Sequence, residues 1–247
     1  MAVYACSDLH GMYHLYECVK EFIKPEDKVI FLGDAGDRGP QSWKTITAIL
    51  EDPQFIYLKG NHEHMLVEAL NTYIGKGCDS YSHLSLLAMN GGLNTYNEAI
   101  DDENVKDIWY RLKNLPLIYE HINDKGQKII LSHAGFTPWI DDEDENKYII
   151  PNDYDLIWDR DHLLDTWNDK EWADVYIVHG HTPIEYLLEE IDPANVLYDN
   201  YTSGALYYEC GRKCCIDHGA VFTGKFILLN LDTMQETIFS TTPYIQY

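Results

Sequence analysis

FLGDAGDRGP, residues 31–40, ends an apolar β-type run, KVIF (28–31), in a turn carrying three glycines, two aspartates and one arginine. Packing requires none of this polarity. A turn needs a glycine or two, and solubility needs a charge anywhere. Asp34, Asp37 and Arg38 on one tight loop at a strand exit therefore point to chemistry. The same event recurs along the chain. VYAC runs into SDLHG (7–11), QFIYLK into GNHEH (60–64), KIIL into SHAG (132–135) and DVYIV into HGHTP (179–183). Short, continuously apolar, β-branched runs read as buried strands. In open α/β sheets, ligands sit beyond the carboxyl ends of the strands. The five polar clusters are thus expected to converge on one edge of a sheet.

Helical patterns separate the first strands. YHLYECVKEFIK (13–24) places Leu15, Val19, Phe22 and Ile23 on one face, and QSWKTITAILED (41–52) does the same with Trp43, Ile46, Ile49 and Leu50. Residues 62–115 read as mainly helical, broken by a Gly-Gly stop in NGGLNTY (90–96). LPLIYEHINDKGQKIILSHAG reads as a hairpin turning near Asp124–Gly126. After His181 the pattern is mostly β, in ALYYECGRKCCID, GKFILLNLD and QETIFS, and predicts a second sheet built from C-terminal strands. The expectation is one mixed α/β domain over residues 1–247, with a mainly helical insertion near 62–115.

The 247 residues are 45% hydrophobic and 24% charged, which is globular, and no Gly/Ser-rich linker divides them. A net charge of −23 is the wrong sign for a nucleic-acid backbone binder. An anionic substrate then needs local positive charge at its site. No stretch reaches the roughly 18 apolar residues of a membrane span. The N-terminus lacks a basic segment before an apolar core, so the cytoplasm is the expected compartment. The six cysteines, Cys6, Cys18, Cys78, Cys210, Cys214 and Cys215, are then expected as reduced thiols, and CGRKCC as small residues in a strand pair.

The clusters hold Asp8, His10, Asp34, Asp37, Arg38, Asn61, His62, His133, His179 and His181. Carboxylate, amide and imidazole donors suit borderline divalent metals. The set exceeds one coordination shell and fits two ions about 3.5–4 Å apart sharing a carboxylate. Two such ions would supply the missing positive charge. Of the 11 histidines, nothing in the pattern places His14, His64, His83, His121 or His162 on the shared edge, and they read as structural. VHGHTP offers two histidines, and residue alternation alone does not choose between them. No Gly-x-Ser-x-Gly elbow is present. GAVFTGKF (219–226) nearly spells a phosphate loop but ends in Phe where a hydroxyl must hold magnesium, and reads as a hairpin turn. DDEDE (141–145) lacks the glycine of a calcium loop and reads as a solvated surface loop.

SDLHG, GDAGDRG, GNHE, SHAG and VHGHTP, in this order, resemble the signature blocks of the phosphoprotein phosphatases within the calcineurin-like metallophosphoesterases, and among them the small bacterial and phage Ser/Thr phosphatases. Asn90-Gly91-Gly92, IWDRD (157–161) and IDHGAVFTGKF add to the likeness. The resemblance implies a four-layer αββα sandwich of two mixed sheets flanked by helices. It implies that Asp8 and His10 bind a first metal, that Asp34 bridges, and that Asn61, His133 and His181 complete a second. His62 would be the general acid, oriented by Asp37. Arg38 and Arg160, with Asn61, would hold the phosphate. Manganese is the expected metal, with iron or zinc as alternatives. The expected activity is hydrolysis of Ser/Thr phosphomonoesters by a water activated between the two metals. Its partners would be phosphoproteins or small phosphoesters, with no nucleic acid or membrane. Symmetrical cleavage of dinucleoside polyphosphates is the rival expectation, with bases stacked on Tyr73, Tyr81, Tyr96 or Trp139. A metal-free scaffold of the same fold is the remote one. Ser7, Gly36 and Ala134 depart from the usual blocks without touching a ligand, and His218 stands where relatives carry a small residue.

Overall fold

The computed structural model describes residues 1–75, 80–197 and 204–245; Cys78 and the side chain of Tyr81 lie outside what it describes. The chain opens with β1 (Val3–Cys6), α1 (Tyr13–Phe22), β2 (Lys28–Phe31), α2 (Ser42–Glu51) and β3 (Phe55–Tyr57). Four helices follow: α3 (Asn61–Tyr73), α4 (Ser80–Met89), α5 (Leu93–Asp101) and α6 (Val105–Lys113). Next come β4 (Ile118–Ile122), β5 (Lys128–Ser132), β6 (Ile140–Asp141), β7 (Asp144–Tyr148), α7 (Asp155–Trp158) and β8 (Tyr176–His179). The last third carries α8 (Ile184–Glu190), β9 (Leu206–Tyr208), β10 (Lys213–Cys215), α9 (Ala220–Thr223), β11 (Lys225–Asn230) and β12 (Glu236–Ser240).

Two five-stranded mixed sheets result, ordered β12-β11-β1-β2-β3 and β4-β5-β8-β10-β9. Residue alternation explains why the strands read as continuous apolar runs. Val29 and Phe31 of β2 pack under the helices, while Ile30 and Leu32 face the second sheet. Phe226 and Leu228 of β11 likewise face the helices, and Ile227 and Leu229 face inward. In the second sheet, Leu131 and Val178 point inward, and Ile130 and Ile177 outward onto Phe136 and Leu156. A strand covered on both faces has no polar side. Each fully buried side chain of this kind contributes about 1.5–3 kcal/mol. The expected layers are present, and the helical cover on the second sheet is the thinner, since α7 has only four residues.

Several expectations need correction. The five polar clusters do not share one sheet edge, because β1, β2 and β3 belong to the first sheet and β5 and β8 to the second. They meet instead across one end of the sandwich. The C-terminal strands do not build the second sheet alone. β9 and β10 join it, but β11 pairs antiparallel with β1, taking β12 with it. An apolar run does not name its pairing partner, and β1 offered a free edge. GAVFTGKF contains a turn of helix, α9, between two left-handed glycines, Gly219 and Gly224. α8 was not expected, although Ile184 and Leu187 on its buried face have helical spacing. Phe22 of α1 is mostly exposed, leaving Leu15, Val19 and Ile23 as the buried stripe. The DDEDE loop forms the turn of the β6–β7 hairpin.

CGRKCC lies across the β9–β10 hairpin, and Cys214 and Cys215 are buried free thiols in β10. Lys213 beside them is fully buried, donating to the His162 carbonyl at 2.6 Å and Thr137 Oγ1 at 3.1 Å. Burial lowers its ammonium pKa to about 7.

Candidate metal centre

The strand exits are shaped by backbone strain. Nine described non-glycine residues have positive φ, and six of them are Asp8, His10, Asp34, Asp37, Arg38 and His181. A side-chain-bearing residue in that region costs on the order of 1 kcal/mol. The concentration of strain on the predicted donors marks where the fold spends stability on geometry. Glycines provide the close approaches. A Cβ on Gly60 would stand 2.2 Å from Asp34 Oδ1, and one on Gly180 2.2 Å from Asp8 Oδ2. Gly36, where a β-branched residue was the usual choice, has Ile46 Cδ1 2.6 Å from its missing Cβ.

The donors come together. Asn61 Oδ1 lies 2.9 Å from His133 Nε2 and 3.0 Å from His181 Nδ1. His133 Nε2 is 3.5 Å from Asp34 Oδ1, and His10 Nε2 is 3.8 Å from Asp34 Oδ2 and 3.9 Å from Asp8 Oδ1. Asp8 Oδ2 accepts the His181 amide at 3.1 Å, tying the first sheet to the second. Among the described residues, two groups of three could hold an ion, with ligand atoms within 4.8 Å of one another: His10, Asp34 and His62, and Asp34, His133 and His181. Asp34 belongs to both. Of the ambiguous pair, His179 turns away, bonding Tyr208 Oη at 2.8 Å.

These residues fit a bound cation on three observations. First, His133 Nδ1 donates to the Leu32 carbonyl at 2.8 Å, so Nε2 presents a lone pair to the lone pairs of Asn61 Oδ1. Two acceptors at 2.9 Å repel each other unless a cation lies between or beside them. Second, His10 Nδ1 donates to the Gly36 carbonyl at 2.9 Å, which fixes the tautomer whose Nε2 is an acceptor, and this Nε2 now takes the cationic Arg38 Nη1 at 2.6 Å. Third, the electrostatics push every donor toward neutrality. Burial raises the Asp34 carboxyl well above the usual range, and the Glu63 and Asp8 charges add to it. Burial raises Asp8 too. Burial holds His10 and His62 well below the ordinary imidazole value, with Arg38 adding to the effect. Only a compensating positive charge makes ionised carboxylates comfortable here.

The His62–Asp37 pair stands beside this cluster. His62 Nδ1 lies 2.5 Å from Asp37 Oδ2, and its Nε2 lies 2.9 Å from Arg38 Nη2. His62 is closer to the cluster than a pure proton donor requires, at 3.8 Å from Asp34 Oδ2. Burial raises Asp37 to about 7, against the lowering effects of the Thr95 hydroxyl and Arg38. Arg160 Nε donates to Thr182 Oγ1 at 3.1 Å, and Arg160, Arg38 and His181 line the inner end of a groove of about 820 Å³.

Three contributors escaped the sequence. Glu63 accepts the backbone N–H groups of Asp34 at 2.8 Å, Ala35 at 3.0 Å and Gly60 at 2.8 Å, plus the Tyr57 hydroxyl at 2.6 Å. One buried carboxylate thus joins two strand exits. Its signal was present, since Glu at the third position of α3, reaching back to Gly60, is capping-box spacing. Glu63→Gln puts an amide donor against those N–H groups. It is expected to lower unfolding stability by about 2–3 kcal/mol, read as an earlier denaturant midpoint. A loss under about 0.5 kcal/mol would contradict this role. Thr95, buried in the first turn of α5, helps lower the Asp37 carboxyl against the larger effect of burial, and no spacing rule announced it. Asp217 is buried where the charge of Asp8 raises its carboxyl, which burial has already lifted. His218 beside it is buried and is not among the residues that line the groove. None of Tyr73, Tyr96 and Trp139 lines the groove; Tyr73 bonds the Ile100 carbonyl, and Trp139 packs edge-on against Trp172.

Comparison with known proteins agrees with this geometry. The serine/threonine-protein phosphatase 2 of Salmonella typhimurium strain LT2 is 26% identical over 216 residues, spanning 83% of this chain and 91% of its own. The protein of that name in Escherichia coli K12 is 27% identical over 194 residues, 72% of this chain and 78% of its own. Among solved structures, a protein provisionally named a diadenosine tetraphosphatase superposes with a TM-score of 0.55 at 16% identity, over 97% of this chain and 93% of its own. A metallophosphoesterase from Sphaerobacter thermophilus does so with 0.54 at 14% identity, over 98% and 88%. The calcineurin-like phosphoesterase family matches residues 1–220, and with this fold and this cluster of donors the chain belongs to it.

Proposed function

We propose that residues 1–247 form one catalytic domain, a two-metal phosphomonoesterase that acts on phosphoserine and phosphothreonine in proteins. In this reading Asp8 and His10 hold one cation, Asn61, His133 and His181 another, and Asp34 both. Manganese is the favoured ion, because the donors are carboxylate, amide and imidazole without thiolate. The bound ions supply acidification of a water and neutralisation of phosphoryl oxygens. The chain's own groups do the rest. Arg38 and Arg160 clamp phosphate oxygens with guanidinium donors. His62 gives a proton to the leaving oxygen once the bound phosphate dianion offsets the burial and the Arg38 charge that hold its ring neutral, and Asp37, on the far ring nitrogen, stabilises the charged ring and aims it.

The observation carrying this choice is the Asp37–His62 pair at 2.5 Å, buried behind Arg38, which lines the groove and meets His62 Nε2 at 2.9 Å. A serine alkoxide leaves poorly and needs a positioned acid, whereas a nucleotide phosphate leaves as a stabilised anion. The experiment is a three-way rate comparison on the manganese-loaded protein, with a phosphoserine peptide, a phosphotyrosine peptide and a dinucleoside tetraphosphate. The highest kcat/KM is expected on phosphoserine. A preference for the dinucleotide would replace this reading with its rival, and no turnover of any would leave a scaffold.

A further inference from the structure

The groove beside the centre is lined by cationic, apolar and acidic side chains. Arg38, Arg160 and His181 form its inner end, and His181, 7% exposed, has a ring Nε2 without a hydrogen-bond partner there. Its apolar lining is open, with Met89 86%, Leu164 67% and Tyr186 52% exposed. Its acidic lining is Asp161, next to Arg160, with Glu189 and Glu190 at the end of α8 remote from His181. Among the described residues, no lysine lines the groove, and the arginines that line it are Arg38 and Arg160. Among the described residues, none of the three carboxylates makes an ion pair.

Helix geometry fixes the spacing. Tyr186, Glu189 and Glu190 are related by three and four residues and share one face of α8, while Ile184 and Leu187 are buried on the other. α8 begins three residues after His181 and runs roughly 9 Å to Glu190 at 1.5 Å per residue. An extended peptide covers that in about three residues, at roughly 3.3 Å each. Asp161 follows the phosphate-clamping Arg160 directly, and its 3-10 turn (Asp161–Leu164) packs against α8.

We infer that this groove is a subsite for a basic residue, Lys or Arg, two to three positions from the phosphoserine or phosphothreonine, with an apolar side chain between them. The inference rests on the phosphoprotein reading above. Its logic is charge complementarity. The inner cations take the phosphoryl group, and the unneutralised outer carboxylates take the cation. A polyphosphate chain entering the same groove would instead carry further negative charge along an acidic wall.

The test uses the manganese-loaded full chain and two phosphoserine peptides, identical except for Arg or Glu at the second and third positions from the phosphoserine. The Arg peptide is expected to have about tenfold higher kcat/KM at low salt, since several exposed attractions and repulsions add. The ratio should shrink toward one in about 0.5 M salt, where screening is nearly complete. The double variant Glu189→Lys, Glu190→Lys alters two exposed helix positions and should fold. It should abolish or invert the ratio. Equal rates on the two peptides, or a ratio the double variant preserves, would overturn the subsite while leaving the phosphoprotein reading in place. A dinucleoside tetraphosphate cleaved faster than both peptides would overturn that reading itself.

Discussion

Asp34→Asn is expected to abolish turnover, lowering kcat/KM by about a thousandfold or more, and to strip the protein of bound manganese. Asp34 is the one residue common to both candidate ion groups. Its replacement keeps an amide oxygen able to accept the His62 N–H, now 3.0 Å from Oδ1, so the turn retains its backbone bond. What would disappear is the negative charge that the proposed centre places between its two cations. Lewis-acid stabilisation of several kcal/mol goes with it, and each 1.36 kcal/mol is a tenfold rate. Stability should move the opposite way in metal-free protein. Burial, Glu63 and Asp8 raise the Asp34 carboxyl above its unfolded value. Its contribution is therefore fully present below about pH 3.9 and is lost as pH rises through the raised folded value. At neutral pH the metal-free variant should melt no lower than metal-free wild type. The wild type alone should then gain stability on adding manganese. Metal analysis with thermal melts, each with and without manganese, checks both signs. A variant that keeps its metal and its manganese-dependent melting shift would remove Asp34 from the centre.

How much of this was legible in the sequence depended on range. The strands were, because KVIF, KIIL and YIVH are apolar on both faces and end in turn residues. The donors were, because carboxylate and imidazole at five strand exits are needless for packing. Sheet membership was not. β11 and β10 read alike as apolar strands, yet one lies on β1 and the other on β8. Long-range pairing depends on which edge is free once the other strands are placed. The supporting contacts were also hidden. Thr95 acts on Asp37 only because the break at Gly91-Gly92 turns α5 back toward the 34–38 loop. There a Cβ on Gly92 would come within 2.7 Å of the Asp37 carboxylate. The groove was hidden for the same reason. Met89, Leu164 and Tyr186 are far apart in sequence and are adjacent only in the fold.

His62→Asn should leave the metals in place and slow turnover by about 10²–10⁴-fold on phosphoserine. The size of the loss should depend on the leaving group, and that dependence separates proton donation from every other role. p-Nitrophenolate departs without help, so the variant should hydrolyse its phosphate at a rate within about tenfold of wild type. Phosphoserine, leaving as an alkoxide, should bear the full loss. The position of His62 makes the outcome decisive, because its Nε2 is 3.8 Å from Asp34 Oδ2 and it falls in a group able to hold an ion. Were His62 a ligand, the variant would lose metal, and both substrates would slow alike. Were it only a packing residue, the two rates would fall together with the melting temperature and the metal would stay. Asp37→Asn offers the companion measurement. It leaves His62 in place but removes the carboxylate from the far ring nitrogen, so the imidazolium is less stabilised and less well aimed. The same leaving-group pattern should return at smaller amplitude. A uniform loss on both substrates in both variants, with metal content unchanged, would mean that the leaving oxygen takes its proton from water, and His62 would then serve only to position Arg38, whose Nη2 it meets at 2.9 Å.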